Sequence, residues 1–405
     1  MLRTWHQPPR SLLVLALAFS IVTLALSGAS PAVAVPGASA KPLPANFFGV
    51  NAGTLFDAPQ SEWGAQLAEM QQGGIAVVRT DAPWSVAEPM APVAGIHHYD
   101  FTQFDSIIAA LAAHNLRWLP IIDYSAPWAA SEPGNDFSPP AIDADYAAYA
   151  RALAQRYGAG GSFWAAHPEL PYLPVEQWEI WNEENGGYFW QPGPDPARYV
   201  DLYLAARAAL RSVDPNAQAV VGGLADAGNV NSFLKGMFLA RPDALQNVDA
   251  IALHPYPLDP THTAASAMQQ IMSTRQYLNS LGASSIPIMV TEVGWTTQGD
   301  GAVSGALRAQ QLSGLVTDLA IAHTGVIALM PYAWVTREQY TQAGDWYGLF
   351  NPSGAPTVGG TAYLRAIKLA RAPQSRGKMP PRGGRHKNDS HSSRRVHARR
   401  HKHRK

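Results

Sequence analysis

Two glutamates stand at the ends of apolar runs. "EQWEIWNEENGG" (176–187) carries Asn182 and Glu183 directly after Trp181, and "IPIMVTEVGW" (286–295) carries Glu292 directly after Thr291. A carboxylate taken out of water without a partner is costly, so a folded chain that keeps one there gives it a partner or a task. Two carboxylates can share one task. One gives a proton to a departing oxygen, and the other attacks carbon or activates water. Cleavage of a glycosidic bond needs such a pair, with a separation of about 5–5.5 Å for retention and about 6.5–9.5 Å for inversion. A carboxylic acid beside a carboxylate also keeps its proton to higher pH.

The elements that must position these groups follow from periodicity. Short β-branched runs alternate with helix-period segments through residues 41–370. Eight runs read as strands: 47–50, 75–79, 116–122, 176–181, 217–223, 248–253, 286–291 and 325–330. Amphipathic stretches lie at 61–72, 143–157, 195–213, 266–281 and 361–370, the first read as opening on a Ser61 cap. Strands alternating with helices imply parallel pairing, and eight such units in about 330 residues fit a single (β/α)8 TIM barrel, an α/β fold. The first strand–helix turn, "GVNAG", is not a phosphate-binding G-x-G-x-x-G loop, and no Walker sequence occurs.

Chemistry in such a barrel gathers at the carboxyl ends of the strands. Those ends carry Arg79, Asp81 and Trp84; Asp123, Tyr124 and Trp128; Asn182 and Glu183; His254 and Tyr256; Glu292 and Trp295; and Tyr332 and Trp334. Strands four and seven lie across the axis, so Glu183 and Glu292 can face each other over a central pocket. Glu184 is expected to point away, because neighbours on a strand alternate faces. Trp84, Trp128 and Trp295 are open between sugar stacking and loop packing, as are Asp81 and Asp123. No metal site is expected: His97 and His98 in "IHHYD" lack a companion H-x-x-x-H, and the chain has no Cys. No G-x-S-x-G serine elbow occurs either.

"WEIWNEEN" and "IMVTEVGW" resemble the acid/base and nucleophile strands of glycoside hydrolase clan A, which includes family 5 cellulases and family 39 β-xylosidases. "VRTDAPWSVAEP" with "HHYDFTQFD" (97–105) is similar to the second-strand region of family 39 and of bacterial exopolysaccharide hydrolases. The resemblance spans residues 46–370. It implies Glu183 as general acid and then base, and Glu292 as nucleophile. It implies that Asn182 binds the sugar 2-hydroxyl, that Arg79 and Tyr256 hold Glu292 ionised, that His254 orients the site and that Trp334 forms a platform under the sugar. No cofactor is implied.

Composition completes the reading. Residues 1–40 read as a secretory signal peptide: Arg3 and Arg10, an apolar stretch at 11–27 too short for a stable membrane span, then small-residue cleavage sites at 32–34 and 38–40. Residues 41–371 read as the catalytic domain. From 371 onward there are 13 Lys and Arg against one acid, so residues 372–405 read as a disordered basic tail. Its candidate partner is an anionic cell-surface polymer; the signal argues against nucleic acid. The expectation is a secreted or cell-surface retaining hydrolase of a β-linked polysaccharide or oligosaccharide, cutting an exopolysaccharide internally. Two alternatives stay open: an exo-acting β-xylosidase-type enzyme, and a non-catalytic glycan-binding protein on the same scaffold.

Overall fold

Runs rich in Val, Ile, Leu and Ala become strands because both faces of a parallel sheet are covered. The computed structural model describes residues 43–372, apart from 226–227, 258–262, 323 and 340–342. Its eight strands are β1 (Gly49–Asn51), β2 (Val77–Pro83), β3 (Arg117–Asp123), β4 (Gln177–Ile180), β5 (Gln218–Leu224), β6 (Ala250–Leu253), β7 (Ile288–Val290) and β8 (Val326–Leu329). They pair in sequence order, every pair parallel, and Phe48 bridges Leu329 in parallel to bring the last strand back to the first. This is the expected (β/α)8 barrel. Expectations for residues 1–40 and for the tail beyond 372 lie outside the described residues. Among the described residues no helix is long and apolar enough to cross a membrane.

The barrel interior holds its own apolar plug, with Val77, Leu119, Val220, Ala250, Met289 and Ala328 in one buried cluster. Side chains on the outer faces join a second, larger cluster under the helices. The helix Asp143–Tyr157 shows how: Tyr146, Tyr149, Ala150, Leu153 and Tyr157 are buried at helical spacing. Helix Pro196–Arg211 begins where Asp195 accepts from the N–H groups of Ala197 and Arg198. The first helix, Gln60–Gly73, starts one residue earlier than expected and has Pro59, not Ser61, at its cap position. Helices Thr102–Ala113, Val230–Ala240 and Gly305–Ile321 add to the expected set.

Two departures at strand ends shape the site. β2 continues to Pro83, four residues past its expected end, so Asp81 stands on the strand on the same face as Arg79. β4 stops at Ile180, so Trp181 to Glu184 form a turn and not strand. The β5–β6 register shifts between Val221 and Leu224, around Gly222 and Gly223. The long loops after β3 and β4 are tied together: Gln191 N–H donates to Phe137 O at 3.0 Å, and Asn135 Nδ2 donates to Gln191 Oε1 at 2.9 Å.

Candidate active site

The turn after β4 delivers its side chains by a path that L-residues resist. Trp181 has φ 69° and Glu183 has φ 51°, a left-handed conformation that costs about 1–2 kcal/mol per residue. Hydrogen bonds hold it: Trp181 N–H to Ile122 O at 3.1 Å, its indole N–H to Phe189 O at 2.7 Å, and Gly186 N–H to Glu183 O at 2.8 Å. The turn sends Asn182 and Glu183 to the cleft and Glu184 into the protein, where it is fully buried.

Arg79, 1% exposed, is the hub. Nε and Nη2 donate to the two oxygens of Glu179 at 2.8 and 2.9 Å. Nη1 donates to Glu292 Oε1 at 2.7 Å and to Asn51 Oδ1 at 2.8 Å. Nη2 also donates to Asn182 Oδ1 at 2.8 Å. All five guanidinium N–H donors are therefore used, which only Arg can do. Burial alone would disfavour the charge, but Glu179 and Glu292 outweigh it and fix Arg79 as a cation. Because Asn182 gives its oxygen to Arg79, its amide N–H groups face outward, one toward Tyr124 Oη at 3.3 Å.

Glu292 also accepts from the Tyr256 hydroxyl at 2.8 Å. Burial opposes its ionisation; the charges of His254 and Arg79 and the bonds from Tyr256 and Arg79 overcome that and bring its pKa below the usual range. His254 Nδ1 lies 2.9 Å from Glu183 Oε1 and 3.6 Å from Glu292 Oε2. Its Nε2 faces Thr291 Oγ1 at 3.2 Å. One donor atom from each of Glu183, His254 and Glu292 lies within 4.8 Å of the others. The carboxyl groups are thus at the short separation that goes with retention. The trio has the donor types of a metal site, but the Arg79 guanidinium already sits against Glu292 and 3.4 Å from His254 Nε2.

The aromatic residues divide differently from the expectation. Trp334 is fully buried, stacked on Phe350 at 4.1 Å with its N–H given to Gln66 Oε1, so it is a core residue and not a sugar platform. Trp84 is fully buried, stacked on Tyr149, with its N–H on Glu88. Trp295 is 3% exposed. Trp128 keeps partial exposure, with its N–H on Glu88 O. Glu88 also binds His97 Nδ1 at 2.9 Å, so His97 pins the loop after β2. Tyr332 is partly exposed: burial first, then the charges of Glu292, Asp81 and Glu183 among its neighbours, push its pKa up.

Glu179, Asn51, Thr291 and Tyr332 complete the site, and the sequence reading gave none of them a role. Glu179 was legible in principle: in "WEIWNE" it stands two residues before Trp181, an acid on the inward face of an apolar strand. Asp81 is reachable by solvent and Asp123 is buried beside it; burial, then the neighbouring Asp81 charge, pushes the Asp123 pKa well up.

Residues 39–286 match the sequence profile of Glycosyl hydrolases family 39. The match includes Arg79, Glu179, Asn182, Glu183, His254 and Tyr256; Glu292 lies just beyond it. No curated protein sequence matches. Among solved structures, the GH39 enzyme from Xanthomonas axonopodis pv. citri superposes with a TM-score of 0.62 at 19% identity, over 82% of this chain and 68% of that one. A monomeric beta-xylosidase from Caulobacter crescentus CB15 gives 0.58 at 18% identity, over 80% and 69%. A glucosidase from Croceicoccus marinus gives 0.62 at 16% identity, over 80% and 68%. At these identities the likeness is one of fold.

Proposed function

The chain belongs to Glycosyl hydrolases family 39, and from that premise we propose that it cleaves β-linked glycans by double displacement between Glu183 and Glu292. It is a retaining O-glycosyl hydrolase of clan A. The observation that carries the assignment of roles is the unequal treatment of two carboxyl groups that lie so close. Glu292 receives a guanidinium and a phenol, which hold it ionised as a nucleophile. Glu183 has His254 beside it and keeps partial exposure, which suits a group that must carry a proton to and from the cleft.

In the first step the Glu183 proton passes to the glycosidic oxygen as the C1–O bond breaks and a Glu292 oxygen bonds to C1. Glu292 then loses its negative charge, yet Arg79 is not left unpaired, because Glu179 still neutralises it. In the second step ionised Glu183 takes a proton from water, the water oxygen bonds to C1, and the bond to Glu292 breaks. On this reading an amide N–H of Asn182 donates to the 2-hydroxyl of the reacting sugar.

The substrate we infer is a bacterial exopolysaccharide cut internally. Support comes from two partly exposed rings on loops tied to each other, Phe137 and Tyr188, which meet at 5.1 Å and offer aromatic surface beyond the pair of carboxyl groups. Secretion and tail-mediated adhesion to an anionic surface polymer belong to the same proposal. The deciding experiment is a polysaccharide screen with product sizing: mixed oligosaccharides early in the reaction are expected, and steady release of one small sugar would replace internal by terminal cleavage.

A further inference from the structure

Glu184 follows the proposed acid directly, yet its side chain leaves the cleft. It is fully buried, and neither carboxyl oxygen has a hydrogen-bond partner among the described residues. Its Oε2, Ile180 O and Trp181 O each lie 2.6 Å from the point a Cβ on Gly222 would occupy, so the carboxyl shares with two carbonyls a space that the glycine leaves open. The hydroxyl against it, Tyr199, donates to Ile180 O at 2.8 Å and accepts from Gly222 N–H at 2.9 Å. Its other titratable neighbours are Tyr146, from helix Asp143–Tyr157, and Glu179 and Glu183, from β4 and the turn after it. None of these is a cation. An ionised carboxylate would face the Ile180 and Trp181 carbonyl oxygens with no cation beside it; a protonated one can donate to them, adding to the Tyr199 hydroxyl already on Ile180 O.

We propose that Glu184 is kept as a neutral carboxylic acid that donates into the Ile180–Trp181 carbonyls, and that this buried group positions Glu183. The positioning role rests on the reading of Glu183 as the acid. The reason for it is local. Trp181 and Glu183 hold left-handed conformations on either side of Asn182, and such a turn keeps its shape only when surrounding bonds over-determine it. A donor on the carbonyls at the turn's start, carried by the residue at its end, closes the turn on itself. Burial pushes the Glu184 pKa well up, in accord with a retained proton.

The two halves of the proposal have separate readouts. The unfolded chain loses this proton near the ordinary Glu value of about 4.3, whereas the folded protein keeps it to higher pH. Folded protein therefore binds more protons across that window, and stability falls as pH rises through it. Glu184→Gln has no proton to lose and can still donate from its amide. Thermal unfolding from about pH 4 to pH 9 should place Glu184→Gln a few degrees above wild type at alkaline pH, with the gap closing toward pH 4. Parallel curves would overturn the neutral acid.

Positioning is read from kcat/KM, which reports formation of the glycosyl-enzyme, on two aryl glycosides of one sugar, a plain phenol and a dinitrophenol. Only the first leaving group needs a proton from Glu183 in that step. Glu184→Ala should lose about tenfold or more in kcat/KM on the phenyl glycoside beyond its loss on the dinitrophenyl one, with Glu184→Gln restoring both. Equal losses on the two substrates would make Glu184 a structural residue only. If Glu184→Ala does not fold, Glu184→Asp, which withdraws the carboxyl by one methylene, carries the same comparison. A wild type inert on every glycoside would overturn the role of Glu183 and the positioning role with it, while the unfolding curves still decide the protonation.

Discussion

Glu179 grips Arg79 with both carboxylate oxygens, at 2.8 and 2.9 Å, from inside the barrel. The same guanidinium reaches Glu292 with a single N–H at 2.7 Å. The cation beside the proposed nucleophile is thus held by a different residue, which also accepts from Gly223 N–H and Thr291 Oγ1. The charge that stabilises ionised Glu292 is fixed before any sugar enters, and it stays neutralised when Glu292 becomes an ester. A preorganised arrangement of this kind needs no rearrangement at the moment of reaction.

Arg79→Lys tests that arrangement. Lysine offers three donors on a compact ammonium where five are used. The His254 and Arg79 charges keep the Glu292 pKa below its usual range, so weakening one of them raises it. The acid limb of the kcat/KM profile, which reports ionisation in the free enzyme, is expected to move to higher pH. Activity at the optimum should fall by about 10²-fold or more. An unmoved acid limb would separate Arg79 from Glu292 ionisation.

The two carboxylates give opposite chemical signatures when removed. Glu183→Ala and Glu292→Ala should each lower kcat by about 10²–10⁴-fold or more with native circular dichroism. Azide should rescue both. In Glu183→Ala it attacks the glycosyl-enzyme and gives the β-azide; in Glu292→Ala it attacks the substrate directly and gives the α-azide. Proton NMR of the products checks the assignment, and the same anomer from both variants would contradict it.

Tyr332 and Trp334 should separate affinity from stability. Trp334 is buried against Phe350, so Trp334→Ala should cost about 3–5 kcal/mol of stability, read by chemical denaturation. Tyr332 is partly exposed and close enough to feel the Glu292 charge, so Tyr332→Ala should raise KM or lower kcat with a much smaller loss of stability. The reverse pattern would restore Trp334 as the sugar platform.

What the sequence carried and what it hid divide along physical lines. All eight strands, Arg79, Asn182, Glu183, His254, Tyr256 and Glu292 were legible, because strand ends in a parallel barrel converge on one rim. The three missed helices have weaker punctuation: Gly305–Ile321 begins and is interrupted by glycine, although its Ser304 cap, which accepts from Leu307 N–H, was a usable signal. The aromatic rings were not legible. A tryptophan beside a strand end can turn to the sugar or to the helices, and the choice depends on packing partners far away in sequence, such as Gln66 for Trp334. Glu184 was placed away from the cleft by strand alternation, but β4 ends at Ile180. A left-handed turn, not the pleat, sets its direction.

Gly223→Ala offers a test by volume alone. The main-chain N–H of Gly223 donates to Glu179 Oε1 at 2.9 Å, and a Cβ on Gly223 would lie 1.8 Å from His254 Nε2 and 2.3 Å from Cε1. Atoms cannot approach so closely, and the ring is buried with Thr291 behind it, so His254 must move. The added methyl carries no charge and removes no hydrogen bond. It displaces the imidazole that stands within 3.6 Å of both Glu183 and Glu292, the proposed catalytic pair. A displacement of about 1 Å at such a position can cost on the order of 10²-fold in rate. Losing His254 also withdraws one of the charges that keep Glu292 ionised, so the acid limb of kcat/KM should rise along with the fall in kcat. Gly223→Ala with wild-type kcat and an unmoved acid limb would show that the imidazole is not needed where it stands. A fall in kcat with an unmoved limb would confine His254 to orienting Glu183.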